Sequence, residues 1–264
     1  MCIPPCFDPK RKNHQERKPI LFEKHYFCNC IVSSFKPSMP MKRLIVMVLT
    51  ALLTLTASAQ SKVYLTRQIT PEALLKIFKA LGVKARGRVA VKMSTGEGSN
   101  PNYLKPELVK DLIYEVDGTI VECNTAYGGD PNDVRNNSEN HWRVIDRHGF
   151  TRYFSVDIMD EYDEIRIPVR DHTHLNYDIV GGHLANYDFL IALNHFKGHP
   201  MGGYGGALKN LSIGCASRNG KAYIHSAGKM NKLDERKLWT REFIGDQDGF
   251  LESMAAAAQA VHNY

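Results

Sequence analysis

Histidine, lysine and asparagine side chains cluster within one glycine-rich stretch of the sequence, between Asp188 and Cys215. This stretch begins as an apolar run of strand length, 189–193, and continues through a polar loop into a predicted helix that starts at Ala207. An apolar strand that leads into a glycine-rich loop is a frequent form of ligand site in α/β proteins. We therefore predict a ligand site in this loop. Its candidate residues are Asn194, His195, Lys197, His199, Gly203, Gly205, Gly206, Lys209 and Asn210.

The histidines and Lys209 offer two kinds of chemistry. Neutral imidazole is a ligand for Zn, Ni, Cu or Fe, and His172-x-His174 has a plausible ligand spacing. His195-x-x-x-His199 has one as well, so a divalent transition metal is a candidate cofactor. A desolvated lysine is a base or a nucleophile, which makes His195, His199 and Lys209 the candidate catalytic residues. The alternative is that the histidines only hydrogen-bond the loop or titrate at the surface.

The glycine loop matches neither standard nucleotide fingerprint. Asn210, and not Ser or Thr, follows Lys209, and the glycine spacing does not fit G-x-G-x-x-G. Backbone N–H groups at the start of the following helix are nevertheless able to bind an anion, with Lys197 or Lys209 as the countercharge. The alternative is that the glycines only allow a helix to pack closely against a strand.

Predicted strands and helices alternate through most of the chain. This pattern predicts an α/β fold with a mostly parallel or mixed sheet and helices on both faces, a Rossmann-like three-layer arrangement. In such sheets ligands lie beyond the carboxyl ends of the strands, so residues that follow other strands should join the site. The further members predicted in this way are Lys92 and Thr95, Asn124, and His172 and His174, which follow strands predicted at 88–93, 119–123 and 164–169.

The first 59 residues are predicted not to belong to this domain. A positive segment at 41–43, an apolar run at 44–56 and the cleavage signal Ala57-Ser58-Ala59 together predict a secretory signal peptide at 41–59. Residues 1–40 are interpreted as a non-native, disordered upstream extension; the alternative is a long cytoplasmic n-region that leaves export intact. Residues 60–264 would then form a single exported domain, periplasmic or secreted, with no stable membrane span after cleavage.

Charge and cysteine content narrow the classes of partner. Residues 1–59 hold nine of the 34 Lys and Arg residues and three of the 28 Asp and Glu residues, which leaves 25 of each in 60–264. The net charge of +6 therefore comes from residues 1–59, and nucleic-acid binding by the domain is not expected. Only Cys123 and Cys215 remain after processing, either as a disulfide or as small buried residues.

Four segments carry a family resemblance: VAVKMSTGEG, ECNTAYGG, HWRVIDRHGF and NHFKGHPMGGYGGALKNLSIGCASRNGK. They resemble the domain-of-unknown-function 362 family, and the similarity runs from about Leu75 to the end. The resemblance implies an α/β fold and a bacterial origin, in a family whose members are in some cases attached to [4Fe–4S] modules. Because this chain has no C-x-x-C run, no iron–sulfur cluster is expected on it. Similar proteins continue beyond the position of Tyr264, so a C-terminally truncated domain is expected.

A second resemblance links the loop to the nickel-pincer lactate racemases, which would make Lys209 a cofactor tether and His195 or His199 a ligand or acid–base residue. The leading hypothesis is an exported α/β protein with a ligand or metal site at the strand ends, as in a metal-dependent enzyme. The alternatives are a non-catalytic module that binds a small anionic metabolite and an inactive truncated fragment. The substrate and the oligomeric state stay open.

Overall fold

Four short parallel strands form the central sheet in the computed structural model, which describes residues 62–130 and 132–264. The order in this sheet is β3-β2-β1-β6, with β1 and β2 inside and β6 at one edge. The strands of the described chain are β1 (Val89–Lys92), β2 (Gly118–Glu122), β3 (Val156–Ile158), β4 (Glu164–Ile167), β5 (Asp178–Gly181), β6 (Phe189–Ala192), β7 (Lys197–His199) and β8 (Gly203–Gly205).

Most of the helices begin at a residue whose side chain accepts a hydrogen bond from the first turn. Thr70 caps α1 with Pro71 as its first residue, Asn137 caps α3, and Asp246 caps α8. The helices of the described chain are α1 (Pro71–Ala80), α2 (Pro106–Glu115), α3 (Ser138–Arg147), α4 (Ala207–Cys215), α5 (Arg218–His225), α6 (Glu235–Leu238), α7 (Arg241–Ile244) and α8 (Gln247–Asn263).

Alternation along β1 separates two hydrophobic cores. Val89 and Val91 pack on one side of the sheet with Leu112 of α2, whereas Ala90 packs on the other side with Phe250 of α8. Successive side chains of a strand point to opposite faces, so one strand serves both cores. Helices therefore cover both faces of the sheet, which confirms the predicted three-layer α/β fold.

Two small antiparallel pairs lie outside the central sheet. The predicted strand at 164–169 forms β4, which pairs with β5 and not with the parallel strands. Part of the predicted polar loop at 194–206 is a hairpin, in which Lys197 of β7 lies opposite Gly205 of β8. The hairpin places the glycine-rich segment immediately before α4.

One helix begins earlier than the sequence predicts. The sequence predicts a loop at 130–140 and a helix at 141–148, but the helix begins at Ser138 because the Asn137 side chain accepts a hydrogen bond from Asn140 N. Asn137 has the extended backbone that an N-cap adopts, and sequence periodicity does not detect this local bond.

The predicted upstream extension and signal peptide, 1–40 and 41–59, lie outside the described residues. Within 62–130 and 132–264, no helix is long and apolar enough to cross a bilayer. Cys123 and Cys215 are both buried and free, and the Cys123 thiol donates to the Cys215 carbonyl oxygen over 3.3 Å. They are therefore small core residues in this structure.

Candidate functional site

A cavity of about 420 Å³ lies where β1, β2 and β6 end. Parallel strands bring their carboxyl ends to one edge, which is why the loops that follow these strands meet here. Its wall includes Glu122 at the end of β2 and Asn194 after β6. Nine of the residues predicted from the sequence line it: Lys92, Asn194, His195, Lys197, His199, Gly205, Gly206, Lys209 and Asn210.

Thr95, Asn124 and Gly203 do not line this cavity. Thr95 and Asn124 are buried behind the wall, and the Asn124 side chain is 3.1 Å from His141 Nδ1. Gly203 is exposed in the hairpin, with a φ of 69° that favours glycine. Thr95 and Asn124 therefore support the wall residues, and Gly203 shapes the turn.

His172 and His174 are not part of the cavity either. The prediction assumed that the strand before them joins the parallel sheet, but β4 pairs with β5 in a separate antiparallel sheet. His172 is exposed, and His174 Nε2 lies 2.6 Å from Glu252 Oε2 of α8. The structure does not bring these histidines and the glycine loop together, because the two segments follow strands of different sheets.

Asn210 joins three parts of the site. Its side-chain amide donates to the Lys92 carbonyl oxygen over 2.8 Å and to Asn194 Oδ1 over 2.7 Å. Its own Oδ1 accepts from Lys92 Nζ at 3.1 Å, and Lys92 Nζ also donates to the Met93 carbonyl at 2.8 Å. A Cβ at Gly214, one turn further along α4, would lie 3.0 Å from Lys92 Nζ. Glycine therefore lets α4 approach β1 closely enough for Asn210 to hold the buried lysine.

A network of charged and hydrogen-bonding side chains in the cavity wall was missed by sequence reasoning. Arg135 Nη1 donates to Glu122 Oε2 and Arg135 Nη2 to Glu97 Oε1, both over 2.8 Å. The Tyr127 hydroxyl donates to the same Glu97 oxygen over 2.5 Å. Glu122 also accepts a hydrogen bond from Thr95 N. The two carboxylates thus share one guanidinium, whose planar group presents several N–H donors in a fixed geometry that the single amine of lysine does not have.

Burial and charge act in opposite directions on Glu122, which is 2% exposed. Burial raises the pKa of this carboxyl, but Arg135, then His141 and Lys92, hold the pKa far below its usual range. His141 is fully buried, and burial lowers its pKa, so its ring is neutral at pH 7. Glu122 is therefore an ionised, fully engaged carboxylate and not a free general base.

Lys209 and His199 are the two predicted catalytic residues whose ionisation is most altered. Burial, and then Lys221, Lys197, Lys92 and Arg135, lower the pKa of Lys209 to about 8. Burial and the neighbouring lysines lower the pKa of His199 to about 4. His199 Nδ1 accepts a hydrogen bond from Gly202 N over 2.9 Å, so its Nε2 carries the proton. At pH 7 His199 is thus a neutral hydrogen-bond donor toward the site.

Positive charge exceeds negative charge in the cavity wall. Two carboxylates line it, Glu97 and Glu122, and both are paired with Arg135. The five cationic side chains in the wall are Lys92, Arg135, Lys197, Lys209 and Lys221. In the part of the chain that the structure describes, none of the four lysines forms an ion pair with a carboxylate.

The structure adds no further ligand to the metal site predicted at His195 and His199 within the described residues. Among residues 62–130 and 132–264, no three His, Cys, Asp or Glu side chains are grouped closely enough to hold a metal ion. His195 and His199 both line the cavity, so metal binding by this pair stays a prediction.

Some signal for the missed network is present in the sequence. Glu122 lies inside the apolar strand segment TIVEC, and a charge in such a strand requires a buried partner. The sequence does not identify that partner, because Arg135 lies in a loop without periodicity. Lys221 and His225 were missed for another reason: α5 buries both side chains, although the segment has few apolar residues.

Comparison with known proteins gives one match. A family model described as "Domain of unknown function (DUF362)" matches residues 89–264, two thirds of the chain. No curated protein and no solved structure matches the chain. Every residue that lines the cavity falls within the matched range.

Proposed function

The chain belongs to the DUF362 family, and because that description names no activity, we propose from the cavity itself that the protein binds a small organic anion at the carboxyl ends of β1, β2 and β6. The observation that carries this proposal is the excess of cationic side chains in the wall. A bound carboxylate or phosphate would supply the negative charge that the lysines of the wall lack. The proposal applies to a protein that only binds the anion and to an enzyme that binds it as a substrate.

The start of α4 adds to the attraction for an anion. In the described part of the chain no side chain caps this helix, and its N-cap, Gly206, lines the cavity together with Gly205. The first N–H groups of a helix have no partner within the helix and carry partial positive charge. Lys209 lies on the first turn, so backbone and side-chain donors are available on one wall.

The rest of the cavity suits an organic rather than an inorganic ion. Its volume of about 420 Å³ is within the range of small-molecule sites, roughly 300–1,000 Å³. Tyr103, Met201, Ile213 and Trp239 contribute apolar surface to the wall. An anionic group at the lysines would leave the body of the ligand against these side chains.

We expect Lys209→Met to weaken anion binding about tenfold to a hundredfold, because a hydrogen bond to a charged group contributes about 1.5–3 kcal/mol. The measurement is the thermal shift of the protein with increasing phosphate, citrate or succinate, followed by calorimetric titration with the anion that stabilises it most. Lys76→Met is the matched control, since Lys76 is exposed on α1 and does not line the cavity.

The chelator EDTA distinguishes anion binding by the lysines from binding through a metal. Stabilisation that persists in EDTA and is lost in Lys209→Met supports the proposal. Stabilisation that disappears in EDTA would assign the anion to a metal held by His195 and His199 instead. Equal affinities in the Lys76 and Lys209 variants would refute the role of Lys209.

We also propose that the domain acts after export, on the basis of the predicted signal peptide at 41–59. Expression from Met41 in a bacterial host should give an exported protein whose N-terminal residue is Gln60, as read by N-terminal sequencing. Ala59→Arg should retain the uncleaved form, because signal peptidase requires a small residue at this position. A cytoplasmic protein that still begins at Met41 would contradict export.

A further inference from the structure

Lys209 differs from the other lysines of the wall in what its amine contacts. Lys92 Nζ is held by two acceptors, and Lys221 Nζ donates to the Ala216 carbonyl oxygen. Lys197 is exposed on the hairpin. Lys209 is half-buried, and among the described residues its amine has neither a hydrogen-bond acceptor nor a carboxylate partner.

The surroundings of Lys209 favour the neutral amine. Its side chain passes beside Gly202, where a Cβ would lie 3.8 Å from Lys209 Cδ and 3.4 Å from His199 Nδ1. Burial and four neighbouring cations lower the pKa of Lys209 to about 8. A desolvated lysine beside other cations is a nucleophile toward carbonyl groups at neutral to mildly basic pH.

We propose that Lys209 forms a Schiff base with the carbonyl carbon of a small 2-oxo acid bound in this cavity. This rests on the proposed function, since the carboxylate of the oxo acid is the anion that the remaining cations bind. The amine nitrogen attacks the carbonyl carbon, and a carbon–nitrogen bond forms. The carbonyl oxygen then leaves as water with the two amine protons, and an imine remains. No oxidant, reductant or metal is consumed in this condensation.

Other wall residues suit the remaining requirements of this step. Lys197 lines the same cavity, is exposed, and is a cation able to bind the carboxylate. His199, whose Nδ1 accepts a hydrogen bond from Gly202 N, has its N–H at Nε2 as a donor for the carbonyl oxygen as that oxygen gains negative charge. His195 also lines the cavity and is exposed to solvent.

Borohydride trapping tests the proposal. The protein is incubated with pyruvate or 2-oxoglutarate, reduced with sodium borohydride, digested and mapped by mass spectrometry. We expect the reduced adduct on Lys209, in a yield that rises with pH through about 8 and is at least tenfold above that at Lys197 or Lys76. Lactate, which has the size of pyruvate but no ketone, should give no adduct.

Lys209→Arg separates this inference from anion binding. Arginine retains the positive charge but forms no imine, so this variant should still be stabilised by anions and should lose the adduct. If anions stabilise the native protein but neither oxo acid modifies Lys209, the Schiff base is refuted and anion binding stands. If no anion stabilises the native protein, the proposed function fails first. An adduct confined to another lysine also overturns the proposal.

Discussion

Replacing Arg135 with methionine should destabilise the protein by about 3–5 kcal/mol, the range found when one partner of a buried ion pair is removed. Arg135 is 7% exposed, and its guanidinium serves Glu122 and Glu97 at once. Without it, Glu122 either remains ionised in a low-dielectric site or takes up a proton. Urea denaturation at pH 7 gives the free energy of unfolding.

Two variants show whether this loss arises from the buried charge. Arg143→Met removes an exposed ion pair to Glu139 within α3 and should cost less than about 1 kcal/mol. Glu122→Gln combined with Arg135→Met should recover at least about 1 kcal/mol relative to Arg135→Met alone, because the uncompensated carboxylate is gone. A double variant as unstable as the sum of both single variants would contradict this account.

Arg135→Met should also change how the free energy of unfolding depends on pH in the acidic range. The pKa of Glu122 is lower in the folded than in the unfolded protein, so its contribution is present above the unfolded pKa and is lost as pH falls below about 5. Arg135→Met removes the main source of that difference. Its free energy of unfolding should therefore fall less steeply below pH 5 than that of the native protein.

The second large effect has the opposite sign: Asp178→Asn should stabilise the protein at pH 8.5. Asp178 is fully buried at the start of β5, and its Oδ1 accepts a hydrogen bond from Ile179 N over 2.8 Å. Among the described residues its Oδ2 has no hydrogen-bond partner. Burial raises the pKa of Asp178 to about 7, with Lys221 as the cation that opposes the shift.

The sign follows from the difference between the folded and unfolded pKa values. Because the pKa of Asp178 is higher in the folded than in the unfolded protein, its contribution to stability is complete below about pH 4. This contribution is lost as the pH rises through about 7. A shift of about three units corresponds to about 4 kcal/mol above pH 7. Asparagine keeps the shape without ionising, so we expect a gain of about 2–4 kcal/mol at pH 8.5 and little change at pH 4.

Asp111→Asn is the control for Asp178→Asn, since Asp111 lies on the half-buried surface of α2 and not in the core. Its effect on the free energy of unfolding should stay below about 0.5 kcal/mol. A loss of stability in Asp178→Asn that is equal at pH 4 and pH 8.5 would contradict the raised pKa of Asp178.

The part of the site that could be predicted follows from parallel pairing. Lys92, Asn194 and Asn210 were predicted together because parallel strands release their loops at one edge of a sheet. Hydrophobic runs identify such strands, and their ends can be read from the sequence. The same rule failed for His172 and His174, because a run such as EIRI has no feature that distinguishes a strand of the central sheet from one of an antiparallel pair.

The ionic network could not be predicted for a different reason. Hydrophobic periodicity indicates which residues are buried, but not which charged residues meet. Glu122 ends β2, but its partners lie in loops: Glu97 follows β1, and Tyr127 and Arg135 follow β2, so the contacts depend on the paths of those loops. Similarly, the altered pKa of Lys209 depends on neighbours up to 117 residues away, as with Lys92. Ion pairs and pKa changes of this kind depend on the three-dimensional arrangement and not on the local sequence.

Because β6 lies at the edge of the sheet, the part of the cavity wall that follows β6 should be less rigid than the part that follows β1. β1 is buried along its whole length between two strands, whereas β6 is half-buried and, within the described residues, pairs with β1 alone. Edge strands open locally at a lower free energy than central strands, so the amides of β6 should exchange with deuterium sooner than those of β1. The segment that carries His195 and Lys197 directly follows β6, so local opening of β6 would displace it. The residence time of a bound anion would then follow this local opening rather than global unfolding.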